Sequence, residues 1–383
     1  MPLASPDWSQ VCSACAVRAG PLHKAADGGS CPGPTFVSGA VSMRATVVGC
    51  GAVGSRAVRQ LASTAEMEAV AVIDRDQARA EAVVNAVGSK TRVASWSPAL
   101  LNPGDVVVLA LPGGHREMAE AALERQAHVV SVSDAESEVR ALLDLGTEAR
   151  ERGLHVVLGA GFAPGLSCVL VRHGATLFDV VTEIHVAKAG TGGPACARQH
   201  HNALSGGSID WRDGAWLRRS GGSGRELCWF PEPVAAQDCY RAHLPDALLL
   251  APAFPSVVRV TARVAASRRD RLSSWLPMLR PPHPEGLIGA LRVELRGRQG
   301  PAHEVAVLGA IDRPAVAAGA VAAVSAAWAG SGRLGRVGAG GLALLLTDPV
   351  PFLHELAGRG VRAAVFEGIS PGRPAVPSGR PAA

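Results

Sequence analysis

Hydrophobic residues follow two different periods along the chain, and the change falls near residue 166. Before it, short apolar runs alternate with segments in which apolar positions recur every three to four residues. Such runs indicate buried strands and such spacing indicates helices, so this part predicts alternating βα units around a parallel sheet covered on both faces. We expect strands at 45–49, 69–74, 91–94, 105–110, 128–133 and 155–159, with helices at 116–126 and 135–152.

After residue 166 the apolar positions alternate with polar ones, which predicts antiparallel strands with one solvated face. The clearest runs are 181–187, 257–264, 290–296 and 303–308. Between the first two lies a Gly/Ser-rich segment, 189–224, that reads as loop. An Ala/Val-rich helix then follows at 314–330, with Pro314 at its start and Gly330 beyond its end.

A glycine-rich turn follows the first predicted strand directly. Thr46-Val47-Val48 runs into Gly49-x-Gly51-x-x-Gly54, and a helix pattern comes next. This spacing is typical of a dinucleotide-binding βαβ unit, in which the three glycines serve the tight turn, the approach of a pyrophosphate and helix packing. Ala52 and Val53 complete the turn at the positive end of the helix, where a pyrophosphate would bind.

An acidic residue at the end of the second strand completes this pattern. Asp74 lies twenty residues after Gly54, where a carboxylate accepts hydrogen bonds from ribose hydroxyls. We expect NAD to be favoured, because the carboxylate would repel a 2′-phosphate. The adjacent Arg75 keeps NADP open.

These patterns predict an α/β protein with two sheets. An N-terminal Rossmann doubly wound parallel sheet precedes an α+β substrate domain with an antiparallel sheet, and the C-terminal helix returns to the Rossmann domain. We expect the Rossmann domain at 43–165, the substrate and dimerisation domain at 166–310, and the completing segment at 311–368.

Both ends of the chain lack periodicity. Residues 369–383 predict a disordered tail, and residues 1–42 predict either a disordered leader or a mis-assigned start, with Met43 as the true first residue. Cys12, Cys15, His23 and Cys31 resemble zinc ligands only in spacing, since no second spaced pair follows. We predict no metal.

Composition excludes several partner classes. A net charge of +5 over 383 residues is modest, and the short arginine clusters indicate solvated surface, so we expect no nucleic acid. The longest apolar stretch, 315–329, is shorter than the roughly 20 residues that span a membrane, and no signal-peptide pattern is present. Eight scattered cysteines favour reduced thiols in the cytoplasm.

Three segments together resemble the saccharopine dehydrogenase-like family, which includes saccharopine reductases and lysine 6-dehydrogenases. They are the Gly49–Gly54 motif, the turn Gly159–Leu166 and the closing Leu353–Val361 unit; 253–255 also resembles the lysine 6-dehydrogenase pattern. The resemblance covers about 43–368. It implies an NAD(P)-dependent oxidoreductase acting on a C–N bond of an amino acid or imine, with a second domain that shapes the substrate site and a homodimer contact.

Two other functions stay open. One is a sugar or homoserine-type Rossmann dehydrogenase, although sugar enzymes commonly carry Glu-Lys-Pro where this chain has Val132-Ser133-Asp134. The other is a dinucleotide-binding regulatory protein without turnover, because residues 189–250 offer few polar residues that match a substrate site.

The loops at the carboxyl ends of the parallel strands hold the remaining candidates, because ligands bind there in open α/β sheets. Leu111 and Pro112 shape the cofactor wall, and Gly161 begins a turn whose N–H groups we expect to face the site. His115 is either a donor to cofactor or substrate or a first-turn histidine. Asp134 either reaches the nicotinamide end or caps a helix.

Lys188 and His201 are the other catalytic candidates. The chain has only three lysines, so Lys188 after a predicted strand suggests a titratable group or carboxylate anchor. His200 and His201 could move a proton, or be solvated loop residues.

Overall fold

The structure is a computed structural model and describes residues 42–278 and 281–366. The predicted tail at 369–383 and leader at 1–42, apart from Ser42, lie outside these residues, as do the four residues with zinc-like spacing. The strands are β1 (Met43–Val48), β2 (Met67–Ile73), β3 (Thr91–Val93), β4 (Val106–Leu109), β5 (His128–Ser131), β6 (His155–Leu158), β7 (Val180–Ala189), β8 (Gly207–Arg212), β9 (Ala215–Ser220), β10 (Glu226–Trp229), β11 (Ala236–Arg241), β12 (Arg259–Ala265), β13 (Gly289–Gln299), β14 (Ala302–Asp312), β15 (Gly338–Gly341) and β16 (Arg362–Phe366).

Helices connect most of the parallel strands. They are α1 (Gly54–Ala62), α2 (Gln77–Val87), α3 (His115–Glu124), α4 (Glu136–Leu143), α5 (Gly146–Glu151), α6 (Leu166–Gly174), α7 (Pro194–Ala203), α8 (Asp246–Leu250), α9 (Arg268–Ser273), α10 (Pro314–Gly330), α11 (Leu342–Leu345) and α12 (Val350–Gly358). The single helix predicted at 135–152 is two helices, and the break brings Gly146 against Ala339 of β15.

The first sheet is parallel and has the order β15-β6-β5-β4-β1-β2-β3. Strand β1 pairs with β2 on one side and β4 on the other, so Val48 lies opposite both Ile73 and Leu109. Strands β4 and β6 are buried at every position, as continuous apolar runs predict. The predicted fold class is therefore confirmed, with β15 as a seventh strand from the C-terminal segment.

The second sheet is mixed rather than purely antiparallel. Its order is β10-β11-β12-β7-β13-β14-β16, and β8 pairs with both β12 and β9. Strands β7 and β12 run parallel, with Lys188 opposite Val264. The expectation of antiparallel pairing was wrong for this pair, because the long segment between the two strands, which contains α7, β8 to β11 and α8, makes a crossover instead of a hairpin. Strand β16 pairs with β14, so the C-terminal segment contributes to both sheets.

Helix α10 is almost completely buried and packs directly on α1. Its small side chains allow this approach: a Cβ on Gly319 would lie 2.6 Å from the Cβ of Arg56. This agrees with the predicted return of the helix to the first sheet. The domain boundaries themselves stay predictions.

Candidate functional site

A cleft of about 860 Å³ crosses the carboxyl ends of the parallel strands, from β2 to β6, and continues to the end of β7. One end is lined by Asp74 and Arg75, and the other by Lys188 and Gln199. Residues of the 49–56 turn, of the loops after β4, β5 and β6, and of 190–199 line the space between. This is the edge at which open α/β sheets bind ligands.

The glycine-rich turn has the geometry that its motif predicts. Gly49 has a φ of 99°, and a Cβ there would lie 2.5 Å from the carbonyl oxygen of Ala110. A Cβ on Gly54 would overlap the Gly49 carbonyl, whereas one on Gly51 meets no atom within 4 Å. Helix α1 has no side-chain cap, and its Ser55 and Arg56 amides donate to the carbonyl oxygens of Gly51 and Val53. The turn therefore leaves open space at Gly51, beside the positive end of the helix.

Asp74 is tied to this turn. Its Oδ2 accepts a hydrogen bond from the Cys50 amide at 2.6 Å, and its Oδ1 accepts one from the Asp76 amide at 2.9 Å. The guanidinium groups of Arg75 and Arg79 line the same end of the cleft. A carboxylate suited to ribose hydroxyls and two cations suited to a phosphate thus lie together.

Leu111 and Pro112 line the cleft, but His115 does not. His115 is fully buried, with Nδ1 2.9 Å from the Ser131 hydroxyl and Nε2 3.0 Å from the Leu111 carbonyl oxygen. Burial lowers its pKa, so the ring stays neutral. With both nitrogens engaged, His115 braces the 111–115 loop, and its predicted catalytic role is not supported.

Asp134 does not cap helix α4, so the capping alternative is wrong. Helix α4 begins after Ala135, whose amide donates to the Ser133 hydroxyl at 3.2 Å, and no side chain caps the helix. The Asp134 carboxylate instead lies in the cleft, 3.2 Å from the Nζ of Lys188. An ion pair therefore joins the loop after β5 to the end of β7.

Lys188 is the other half of this pair and is only 5% exposed. Its Nζ donates to Asp134 and, at 3.0 Å, to the carbonyl oxygen of Ala163. Burial, the largest single effect, would lower the pKa of Lys188, but Asp134, Cys196 and Asp246 together outweigh it and the pKa lies above its ordinary value. The side chain is therefore an ammonium at neutral pH that points into the cleft.

The turn after β6 supplies the carbonyl of Ala163. The Gly161 amide donates to the Pro164 carbonyl at 3.0 Å, and Gly165 has a φ of 127° where a side chain would overlap the Gly161 main chain. Gly161 lines the cleft as predicted. The group that the turn offers to Lys188 is a carbonyl, however, and not the N–H groups that we expected.

Helix α7 forms the opposite wall and replaces the loop that the Gly/Ser-rich composition predicted. His201 faces away from the cleft, with Nε2 2.9 Å from the Leu276 carbonyl oxygen. His200 is buried near Lys188, because successive helical residues point about 100° apart. Burial and then the Lys188 charge lower the pKa of His200 to about 4, so it is a neutral ring. The predicted role of His201 therefore finds no support in its position.

Sequence reasoning missed two residues of α7. The Cys196 sulfur lies 4.0 Å from Oδ2 of Asp134, and burial raises its pKa to about 11. Arg198 lines the cleft and is exposed, and it forms no ion pair or hydrogen bond with any residue in 42–278 or 281–366. That Arg198 lines the cleft could be recognised only from the structure, because the sequence predicted a loop where α7 lies.

Within residues 42–278 and 281–366, every helix is too short or too polar to span a membrane. No group of three or more His, Cys, Asp or Glu side chains among those residues could hold a metal ion.

Comparison with known proteins finds one matching family and several solved structures with a similar fold. Residues 43–158 match a family described as "Oxidoreductase family, NAD-binding Rossmann fold". Saccharopine dehydrogenase (L-Glu forming) from Saccharomyces cerevisiae superposes with a TM-score of 0.62 at 16% identity, over 85% of this chain and 100% of that one. The fold is saccharopine dehydrogenase-like. The resemblance inferred from the sequence is thereby confirmed.

Two other solved structures are similar to this chain at lower scores. The DAP dehydrogenase of C. glutamicum covers 82% of this chain and 98% of its own, with 13% identity and a TM-score of 0.44. GenD2 from gentamicin A biosynthesis, in complex with NAD, covers 85% and 97%, with 14% identity and a TM-score of 0.44.

Proposed function

We propose that this protein is an NAD(P)-dependent oxidoreductase that transfers a hydride to or from the C–N bond of an amino acid or imine. The observation that carries the proposal is the pair formed by the buried Lys188 and the partly exposed Asp134, in the same cleft as the Gly49–Gly54 turn. Such a reaction needs a dinucleotide site and a group that exchanges a proton with nitrogen, and this cleft offers both.

The described residues fit a dinucleotide. The space at Gly51 is open where a pyrophosphate would approach, and it lies beside the positive end of the α1 dipole. A cleft of about 860 Å³ is within the ordinary range for ligand sites. The nicotinamide ring would supply the hydride chemistry. Asp74 favours NAD, while Arg75 and Arg79 leave NADP as the alternative.

Lys188 and Asp134 take the proton-handling roles. When an imine is reduced, its nitrogen gains a proton as its carbon gains a hydride, and the Lys188 ammonium can donate that proton into the cleft. Asp134 holds the ammonium in place and, in the oxidative direction, can accept a hydrogen bond from a substrate ammonium. Since the pair is neutral as a whole, a second charge is needed to bind a carboxylate.

Arg198 supplies that charge. It is the exposed guanidinium on the α7 wall, and it has no acidic partner in the described chain. A carboxylate bound there would gain a charge-assisted hydrogen bond, which contributes roughly 1.5–3 kcal/mol. The cleft therefore suits a substrate that carries both a C–N group and a carboxylate.

The test has two stages. Thermal-shift titration with NADH and NADPH should show saturable binding, and a panel of amino acids with NAD⁺ or NADP⁺ should then give reduced-cofactor absorbance at 340 nm. Failure to bind either cofactor refutes the proposal at its first step. Binding without turnover on amino acids, homoserine or sugars favours a regulatory protein, and turnover on sugars alone favours the sugar-dehydrogenase alternative.

We also propose a cytoplasmic homodimer. Strand β10 is an edge of the second sheet, and its Leu227 and Trp229 side chains are exposed. Edge strands with exposed apolar side chains are sites of pairing with another chain. Light scattering after chromatography should give twice the chain mass of 39.3 kDa, and Leu227→Glu should reduce it to one chain.

A further inference from the structure

A further carboxylate, which is fully buried, belongs to the same region as the Lys188–Asp134 pair. Asp246 begins the short helix α8 and is 0% exposed. Its Oδ1 accepts a hydrogen bond from the Ser167 hydroxyl at 3.4 Å, and its Oδ2 has no partner among the described residues. A buried carboxylate with an unsatisfied oxygen is unfavourable to folding, so its presence calls for a physical reason.

Asp246 belongs to a cluster of ionisable side chains from four parts of the fold. Lys188 comes from β7, Asp134 from the loop after β5, and Cys196 and His200 from α7. Lys188 and Asp246 bond to neighbouring parts of one segment, because Lys188 donates to the Ala163 carbonyl oxygen at 3.0 Å and Asp246 accepts from the Ser167 hydroxyl at 3.4 Å. The other titratable group facing Asp246 is the thiol of Cys168 on α6, whose pKa burial raises to about 12.

Asp246 is the group in this cluster whose charge changes near neutral pH. Burial raises the pKa of Asp246 from 3.8 to about 6, with Lys188 opposing the rise and Asp134 adding to it. Lys188 stays an ammonium, the Cys196 thiol stays protonated and the His200 ring stays neutral over this range. Protonation of Asp246 therefore removes a negative charge beside a constant positive one.

We propose that Asp246 is a positioning residue that sets how tightly Lys188 holds its proton. The inference rests on the proposed function, in which Lys188 donates that proton. An ionised Asp246 stabilises the ammonium, whereas a protonated Asp246 lets Lys188 release its proton more readily. The carboxylate acts through Lys188 and does not touch the cleft itself.

The first test measures Lys188 without any turnover. Competitive acetylation by acetic anhydride, followed over pH by peptide mass spectrometry, reports the titration of each lysine, and the chain has only three. In Asp246→Asn the midpoint of Lys188 should fall by about 1 pH unit, since a nearby opposite charge is lost. Lys90, which bonds to the Thr64 carbonyl, serves as the internal reference and should not move.

Ser167→Ala keeps the carboxylate and removes its hydrogen bond, so it is the matched control. Because that bond favours the ionised form, its loss should raise the pKa of Asp246. The Lys188 midpoint should then stay where it is, because Asp246 is already ionised at the high pH at which Lys188 titrates. An unchanged Lys188 midpoint in folded Asp246→Asn, judged by circular dichroism, overturns the inference.

The second test uses turnover and separates this inference from the proposed function. The kcat/KM profile of the wild type should show a limb near pH 6, absent in Asp246→Asn and moved upward in Ser167→Ala. A limb that persists in Asp246→Asn overturns the positioning role. Absence of turnover in the wild type refutes the proposed function, while the acetylation result still decides whether Asp246 controls Lys188.

Discussion

Gly51 offers the sharpest test of cofactor binding, because a side chain there would occupy the space proposed for the cofactor without disturbing the fold. A Cβ at Gly51 meets no atom within 4 Å, so Gly51→Asp should fold normally. The same change at Gly54 would drive a side chain into the Gly49 carbonyl and disrupt the turn itself. A substituted side chain at 51 must instead project into the space where we place a pyrophosphate.

The expected loss follows from Coulomb's law. A unit charge about 4 Å from another interacts by about 1 kcal/mol in bulk water and about 4 kcal/mol at an effective dielectric of 20. With two phosphate charges beside the new carboxylate, affinity for NADH should fall by at least 10-fold and by more than 1,000-fold if the cleft excludes water. Tryptophan-to-NADH energy transfer gives the dissociation constants.

Gly51→Asn is the matched control, since asparagine has the same shape without the charge. The difference between the two variants isolates electrostatic repulsion, and it should shrink as salt rises. A tenfold change in the dissociation constant corresponds to about 1.4 kcal/mol of binding free energy. If Gly51→Asp binds NADH within about twofold of the wild type, the assignment of this turn to a pyrophosphate is wrong.

Further predictions concern the rest of the cleft. Asp74→Ala should weaken NAD more than NADP in the same energy-transfer assay; the opposite order would contradict the ribose assignment. Lys188→Met should abolish turnover at saturating substrate yet keep NADH affinity, and a wild-type kcat would exclude it as the proton donor. Arg198→Met should raise KM for an amino acid by at least about 10-fold with little change for the matching amine, since roughly 1.5–3 kcal/mol of charged hydrogen bonding is lost. Burial raises the pKa of Asp246 in the folded state to about 6, against 3.8, so Asp246 should lower the free energy of unfolding by about 2 kcal/mol as pH rises from 4 to 6. Urea titrations at both pH values should show this slope in the wild type and a smaller one in Asp246→Asn.

Local sequence spacing sufficed for the features whose parts lie close together along the chain. The turn at 49–54 needs only a strand, three glycines and a helix, and all of these fall within one short segment. Apolar runs and alternating runs likewise distinguished the two sheets, because burial on two faces or one face is written into neighbouring positions. Lys188 could be singled out by its rarity alone.

The direction in which an individual side chain points could not be predicted from the sequence. The helical geometry of α7 decides that His200 and not His201 lies near Lys188, and Gly/Ser-rich composition concealed that helix. His115 is the first residue of α3, as one of its two predicted alternatives had it, and its hydrogen bond to Ser131 holds the ring away from the cleft. The parallel pairing of β7 with β12 fixes the position of Lys188, which lies opposite Val264.

The sequence by itself therefore determined the fold class, the dinucleotide turn and the candidate lysine, since each is encoded within a single element. Tertiary structure alone decided which groups meet that lysine. Asp134 is 54 positions away from it, and Asp246 comes from a different helix altogether. Electrostatic pairing and desolvation depend on distances of a few ångströms in space, and the linear order of residues does not specify those distances until both sheets have formed.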